Sequence, residues 1–309
     1  MCSTLDAHPQ ISMVSDILNW FWSKFFPFYG DITTTYELDK ALYELEYYIT
    51  YGLNKEQKDF FYSEKIKRET ILNGISSYSL YYVLIKNFYY SKLKQNIGIK
   101  ATHQAKYYKY FLDYIPNSYI IHMVRNPIDS YYSHKLRTEP DNINKVKKII
   151  KKCKKVKTNI GLKIIGERYY FVGLRDYTPY IYKHPIKYFD EWVLENMKAV
   201  ELSKVFKDRV IIIKYEDFLS NVEYTLRNIM QVINIEWSNY ILDYNKLKDR
   251  NGNPFRANTS FNKEKIVGFA KTQINKNIKN LQKEESNYYF NNVHPFAIKM
   301  GYNKEMTFE

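Results

Sequence analysis

The chain has 309 residues, with 47 Lys and Arg against 33 Asp and Glu, a formal charge of +14. Hydrophobic residues at 45% and charged residues at 26% are ordinary globular proportions, which exclude wholesale disorder and leave room for a sizeable core. Two counts stand apart, 32 Tyr and only 10 Gly, and the first glycine is Gly30, so nothing before it forms a glycine-rich phosphate loop.

Cys2 and Cys153 make no disulfide framework, no Cys/His cluster has zinc spacing, and the six histidines are scattered. No metal site is expected. No segment approaches the roughly 18–20 apolar residues of a membrane span. Ile17 to Tyr29 is aromatic but is interrupted by Ser23, Lys24 and Pro27, and Asp6, His8 and Pro9 stand where the apolar core of a signal peptide would run. As written the chain reads as soluble, with its compartment open. The surplus of Lys, Ile, Asn and Tyr shares A/T-rich codons, so part of the charge is composition bias. The remainder favours anionic partners: nucleic acid, acidic polymers, a membrane surface or a polyphosphate cofactor.

Neither an internal repeat nor a Pro/Gly/Ser-rich linker divides residues 1–309, which predicts one domain. Residues 32–72 carry apolar positions such as Leu42, Leu45, Tyr48 and Ile49 at helical spacing. Residues 104–114 read as another helix, followed by the turn Pro116-Asn117-Ser118. Tyr119 to Val124 is a short run with β-branched residues, ended by Arg125-Asn126-Pro127, as in a buried parallel strand. Lys145 to Lys157 holds eight Lys in thirteen residues, with Val146, Ile149, Cys153 and Val156 on one helical face. It reads as a surface helix with a solvated basic face, or as a polyanion- or membrane-binding helix. Gly161 to Gly166 is followed by Glu167-Arg168, without the Lys and hydroxyl of a phosphate-binding loop. Residues 187–206 read as a helix, Val210 to Lys214 as a second strand, and 221–233 as a further helix. Strands alternating with helices give an α/β class. The Tyr pairs, such as Tyr81-Tyr82 and Tyr107-Tyr108, follow no nucleic-acid-binding pattern and fit core packing, so no specific nucleic-acid partner is expected.

One constellation carries chemistry. Arg125 ends the first strand, a helix starting at Pro127 would follow, and Ser133 stands eight residues on, with Arg137 one turn later on the same face. A planar guanidinium fork and a hydroxyl at the carboxyl edge of a parallel sheet make a phosphate clamp. A capped surface helix is the other reading of the same spacing.

The run Tyr119-Ile120-Ile121-His122-Met123-Val124-Arg125-Asn126-Pro127 resembles the strand-loop of the sulfotransferases that use 3'-phosphoadenylyl sulfate. Lys214-Tyr215-Glu216-Asp217-Phe218 resembles that family's second signature. Leu5-Asp6-Ala7-His8-Pro9-Gln10-Ile11 is similar to the segment after its phosphosulfate loop, and Gly98-Ile99-Lys100 to the segment presenting a lysine to the sulfate bridge. Asn258-Thr259-Ser260-Phe261 and Ile274 to Leu281 resemble the closing loop and basic segment, with Asn277 where relatives often carry Trp, and Met300-Gly301-Tyr302 is a usual ending. The ordered matches span residues 5–302.

The resemblance implies a parallel sheet of phosphate-loop type flanked by helices. It implies 3'-phosphoadenylyl sulfate as co-substrate, without metal, and transfer of a sulfuryl group to a hydroxyl or amine of a protein, carbohydrate or small-molecule acceptor. By the comparison with tyrosylprotein sulfotransferases, Arg125, Ser133, Arg137, Tyr215 and Lys276 fall on cofactor-binding positions, and Lys100 on one facing the sulfuryl group. Asp16 falls where the catalytic carboxylate stands, eight residues after His8; a helix N-cap or a surface carboxylate is its other reading. Protein tyrosine and glycans are the acceptor classes implied.

The family's first strand and its Gly-Thr-Thr-type turn would lie immediately before Leu5, where only Met1-Cys2-Ser3-Thr4 remain. That turn supplies the backbone N–H groups that hold the phosphosulfate. The sequence is therefore expected to be truncated at its N-terminus, and inactive or nearly so as written. Golgi members carry an N-terminal membrane anchor in the part this sequence lacks, so the Golgi lumen is one compartment the resemblance allows. The alternative from another class is a catalytically dead scaffold of the same fold that binds acidic polymers through Lys145–Lys157.

Overall fold

The computed structural model describes residues 1–14, 21, 25–26, 30–52, 62–89, 94–100, 105–137, 186–243, 247 and 281–302. It is a helix-rich α/β structure with two small parallel sheets among those residues. The chain divides into two compact units, Met1–Tyr107 with Glu236–Gly268, and Tyr108–Ile235 with Phe269–Glu309.

The first unit begins with α1 (Cys2–Asp6) and β1 (Ile11–Val14). Between them the Asp-Ala-His-Pro turn is stapled by its own side chains. Asp6 accepts the Met13 N–H at 2.7 Å, and His8 accepts the Gln10 N–H at Nδ1 while Nε2 donates to the Glu236 carbonyl at 2.9 Å. Lys94 caps the same turn by donating to the carbonyls of Asp6, His8 and Ile11. Helices α2 (Thr35–Gly52), α3 (Ser63–Leu72) and α4 (Ser77–Tyr89) follow. Thr34 and Glu37 form a capping box at the start of α2: Thr34 Oγ1 accepts the Glu37 N–H, and Glu37 accepts the Thr34 N–H. Leu38, Ala41, Leu42 and Leu45 form its buried stripe. The helical pattern over 32–72 is thus α2 and α3, with 53–61 outside the described residues. Strand β2 (Asn96–Ile99) pairs parallel with β1, Met13 opposite Gly98, and the Met13 thioether lies where a side chain at Gly98 would stand. A 3-10 turn at Ala105–Tyr107 precedes the second unit.

In the second unit α5 (Tyr108–Tyr114) leads to β3 (Ile120–Val124) and α6 (Pro127–Arg137). Helix α7 (Lys187–Val205), β4 (Val210–Lys214), α8 (Tyr215–Ser220) and α9 (Val222–Val232) continue, and α10 (Lys283–Tyr288), a π-helical turn (Tyr289–Val293) and α11 (His294–Lys299) close it. The runs read as strands are β3 and β4, paired parallel in the register Ile120↔Val210 to Val124↔Lys214. Their residues are β-branched and apolar enough to be covered by helices, and α7 packs on β4 and α6.

The core of this unit joins Val124, Ile128, Tyr131, Phe189, Trp192, Tyr289, Ala297 and Tyr302. Tyr131 and Phe189 stack with centroids 4.2 Å apart and planes 11° from parallel. Each ring fully buried stabilises by about 1.5–3 kcal/mol. Helix α11 ends in a Schellman motif: Gly301 N–H bonds the Ile298 carbonyl at 2.8 Å and Tyr302 N–H the Ala297 carbonyl at 2.9 Å. Gly301 takes φ +75°, the left-handed conformation that motif requires. Among the described residues no helix is long and apolar enough to cross a membrane. The same residues contain no group of three or more His, Cys, Asp or Glu placed to hold a metal.

Candidate functional site

Val124 and Lys214 are the last pair of the β3–β4 register. The next residue on each strand is Arg125 and Tyr215, at the carboxyl edge where ligands of parallel sheets bind. Their side chains meet there, the Arg125 guanidinium carbon 5.2 Å from the Tyr215 ring centroid. That stack holds the flat face of the fork and leaves its N–H edges directional. The Arg125 side chain is 30% exposed, open enough to meet a ligand.

Helix α6 starts two residues later because the sequence supplies a cap and a stiff first turn. Asn126 Oδ1 accepts the Ile128 N–H at 2.9 Å and the Asp129 N–H at 3.4 Å, and Pro127 takes the first helical position. Asp129 is fully buried, with its carboxylate 3.9 Å from Arg125 Nη2. Ser133 is half-buried two turns into α6. Arg137 is the last residue of that helix, and its side chain lies outside the described residues.

The support beneath this edge comes from residues to which the sequence motifs assign no partner. Trp192 Nε1–H on α7 donates to the Arg125 carbonyl at 2.9 Å. Glu216, next after Tyr215, accepts the Asn126 N–H at Oε1 and the Tyr302 hydroxyl at Oε2, both at 2.9 Å. Lys214 donates to the Gly301 carbonyl at 2.8 Å, holding the turn that carries Tyr302. Burial raises the Tyr302 phenol pKa well above its ordinary range, and the Glu216 carboxylate adds to it. Tyr215 is also raised by burial, against the opposing pull of Arg125. Both rings therefore stay neutral phenols.

Further along β3, His122 is buried between two partners. Nε2 donates to Asn196 Oδ1 at 2.8 Å, which leaves Nδ1 to accept the Tyr108 hydroxyl at 3.0 Å. Burial depresses the His122 pKa, and Tyr108 is raised well above the usual phenol range by the same cause.

The structure thus brings Arg125 and Tyr215 together and places Ser133 on the helix that Arg125 precedes. Lys100 belongs to the other unit, exposed just after β2, its backbone N–H bonded to the Val14 carbonyl at 2.9 Å. Asp16, Lys276 and the Lys145–Lys157 segment lie outside the described residues, as do Asn258 to Phe261. Glu216 and Tyr302 stand inside motifs quoted for their resemblance, but the motifs assign them no partner. Trp192 carries no sequence signal beyond its place on a helix.

No protein-family model matches the chain, and no curated protein matches it by sequence. Among solved structures it is similar to the sulfotransferase domain from the Synechococcus PCC 7002 olefin synthase. That likeness has 16% identity and a TM-score of 0.46, over 96% of this chain and 88% of that one. It is also similar to the sulfotransferase domain from the curacin biosynthetic pathway, at 12% identity and a TM-score of 0.47, over 94% of this chain and 90% of that one. Both likenesses are distant.

Proposed function

We propose that this chain is a sulfotransferase of the class that uses 3'-phosphoadenylyl sulfate, with a hydroxyl or amine of a protein, carbohydrate or small molecule as acceptor. The observation that carries the reading is the Arg125–Tyr215 pair at the carboxyl edge of a parallel strand pair, one residue before a capped helix N-terminus. A stacked, partly exposed guanidinium suits a phosphate dianion, which it meets through two parallel N–H bonds.

In this reading Arg125 and Ser133 hold the 3'-phosphate, with Arg137 and Lys276 adding positive charge and Tyr215 set against the nucleotide. When bound, the nucleotide supplies the sulfuryl group. Lys100 offsets negative charge at the transferring group, and Asp16 takes the proton of the acceptor. An Asp is a weak base at its ordinary pKa near 4, so burial or orientation would have to raise its competence.

The test is calorimetric titration with adenosine 3',5'-bisphosphate. Binding rather than turnover is the readout, since Arg125 and Ser133 address the 3'-phosphate end of the nucleotide. Arg125→Ala and Ser133→Ala should each weaken binding by at least about 1 kcal/mol. No binding by the chain, or affinity unchanged in both variants, contradicts the reading.

A further inference from the structure

The carbonyl of Arg125 and the N–H of Asn126 belong to one peptide unit, and both its polar groups are taken by side chains from other elements. Trp192 on α7 donates to the carbonyl at 2.9 Å, and Glu216 on α8 accepts the N–H at 2.9 Å. A peptide plane held at both ends cannot rotate without breaking two hydrogen bonds. Its orientation sets ψ of Arg125 and φ of Asn126, so it aims the Arg125 side chain and the Asn126 cap of α6 together.

We infer that Trp192 and Glu216 are positioning residues that lock the Arg125–Asn126 peptide unit, with Tyr302 acting through Glu216. Each bond is made by a partner that is itself fixed. Trp192 is 8% exposed, packed edge-on to Phe296 and Tyr302, and its own carbonyl accepts Asn196 Nδ2–H at 2.5 Å. Asn196 in turn holds His122 on β3, so α7 is tied to the same strand that delivers Arg125. The second Glu216 oxygen accepts the Tyr302 hydroxyl, and Tyr302 is set by the Schellman turn at Gly301. A carboxylate with both oxygens bonded has little freedom to release Asn126. What the aimed fork does rests on the phosphate-binding reading above. The lock itself does not.

The experiment uses the full chain and two readouts. Trp192→Phe keeps an aromatic ring and removes the N–H, Tyr302→Phe removes one hydroxyl, and Glu216→Gln keeps an acceptor that Glu216→Ala loses. Without ligand, hydrogen exchange at the Asn126 amide should quicken in Trp192→Phe, Tyr302→Phe and Glu216→Ala, and return toward the wild-type rate in Glu216→Gln. With adenosine 3',5'-bisphosphate, Trp192→Phe and Glu216→Ala should each weaken binding about five- to tenfold. Trp192→Phe should add no further loss in an Arg125→Ala background, because its effect runs through that side chain. Asn126 exchange unchanged in all the variants, or a Trp192→Phe loss that simply adds to that of Arg125→Ala, overturns the inference. Failure of the wild-type chain to bind the nucleotide contradicts the proposed function instead, and the exchange rates then decide the lock on their own.

Discussion

Arg125 and Tyr215 stack at the carboxyl edge of the β3–β4 pair, guanidinium carbon to ring centroid 5.2 Å. They meet because the parallel register ends at Val124 and Lys214, so the following residue of each strand leaves the sheet beside the other. The ring face, not the hydroxyl, makes this contact. Tyr215→Phe is therefore expected to keep nucleotide affinity within about twofold, whereas Tyr215→Leu should cost about 0.5–1 kcal/mol through the lost stack. Calorimetric titration of the two variants separates these outcomes.

His122 makes stability depend on pH in a defined direction. Burial holds its folded pKa below the ordinary 6.5, with the Asn196 hydrogen bond and the Glu195 charge opposing. Between the two values the unfolded chain binds the extra proton, so stability is retained above pH 6.5 and falls as pH drops below it. The slope is at most about 1.4 kcal/mol per pH unit. Denaturant unfolding between pH 5 and 7.5 should show this decline, and His122→Gln should flatten it.

Glu285 governs a lower window. Burial pushes its pKa up, but the Lys135 ammonium at 2.6 Å, the Gln282 N–H and the Tyr131 hydroxyl together hold it below the ordinary 4.5. Its contribution is present above that value and is lost as pH falls through the folded value. Lys135→Met leaves the carboxylate buried without its cation, at a cost of about 2–3 kcal/mol at neutral pH, reduced from a fully buried pair because Lys135 is partly exposed. Losing Lys135 raises the folded pKa of Glu285, so the stability lost on acidification should shrink and the acid limb of the pH–stability curve should become shallower in the variant. An unchanged limb would show that Glu285 does not depend on Lys135.

Gly301 is the tightest backbone requirement near the site. At φ +75° a side chain is strained, and a Cβ would lie 2.5 Å from Lys214 Nζ. Gly301→Ala is expected to lose about 1–2 kcal/mol, to displace Lys214, and to loosen Tyr302 from Glu216. Thermal unfolding measures the first effect, and the Tyr302 ring resonances the last.

The two strands of the second unit were legible in the sequence because Ile120–Val124 and Val210–Lys214 are short apolar runs rich in β-branched residues, with His122 and Lys214 the polar exceptions. The start of helix α6 was legible from Pro127, which suits a first helical turn, while the Asn126 cap emerged only in the structure. Strands β1 and β2 were not read as a pair. Each is four residues, β2 contains Asn96 and Gly98, and their pairing depends on Met13 finding room over Gly98. That is a tertiary fit with no local pattern.

At the site, Arg125 and Ser133 stood out by their spacing across a strand–helix junction, and Tyr215 only through the resemblance of the motif that carries it. Trp192 did not, since an indole 67 positions from its acceptor leaves no trace in local periodicity. Glu216 and Tyr302, 86 positions apart, share one hydrogen bond that only folding brings about. The Asp-Ala-His-Pro turn read as a signpost of resemblance, and its Asp6 and His8 are engaged in holding the turn.

The most direct test of the central claim asks whether Arg125 reads a 3'-phosphate. Adenosine 3',5'-bisphosphate and adenosine 5'-monophosphate are titrated into the wild-type chain and into Arg125→Ala. The wild type should prefer the bisphosphate by about tenfold or more, the scale of a charge-assisted phosphate contact, and the variant should lose most of that preference. An equal preference in both proteins would contradict the account.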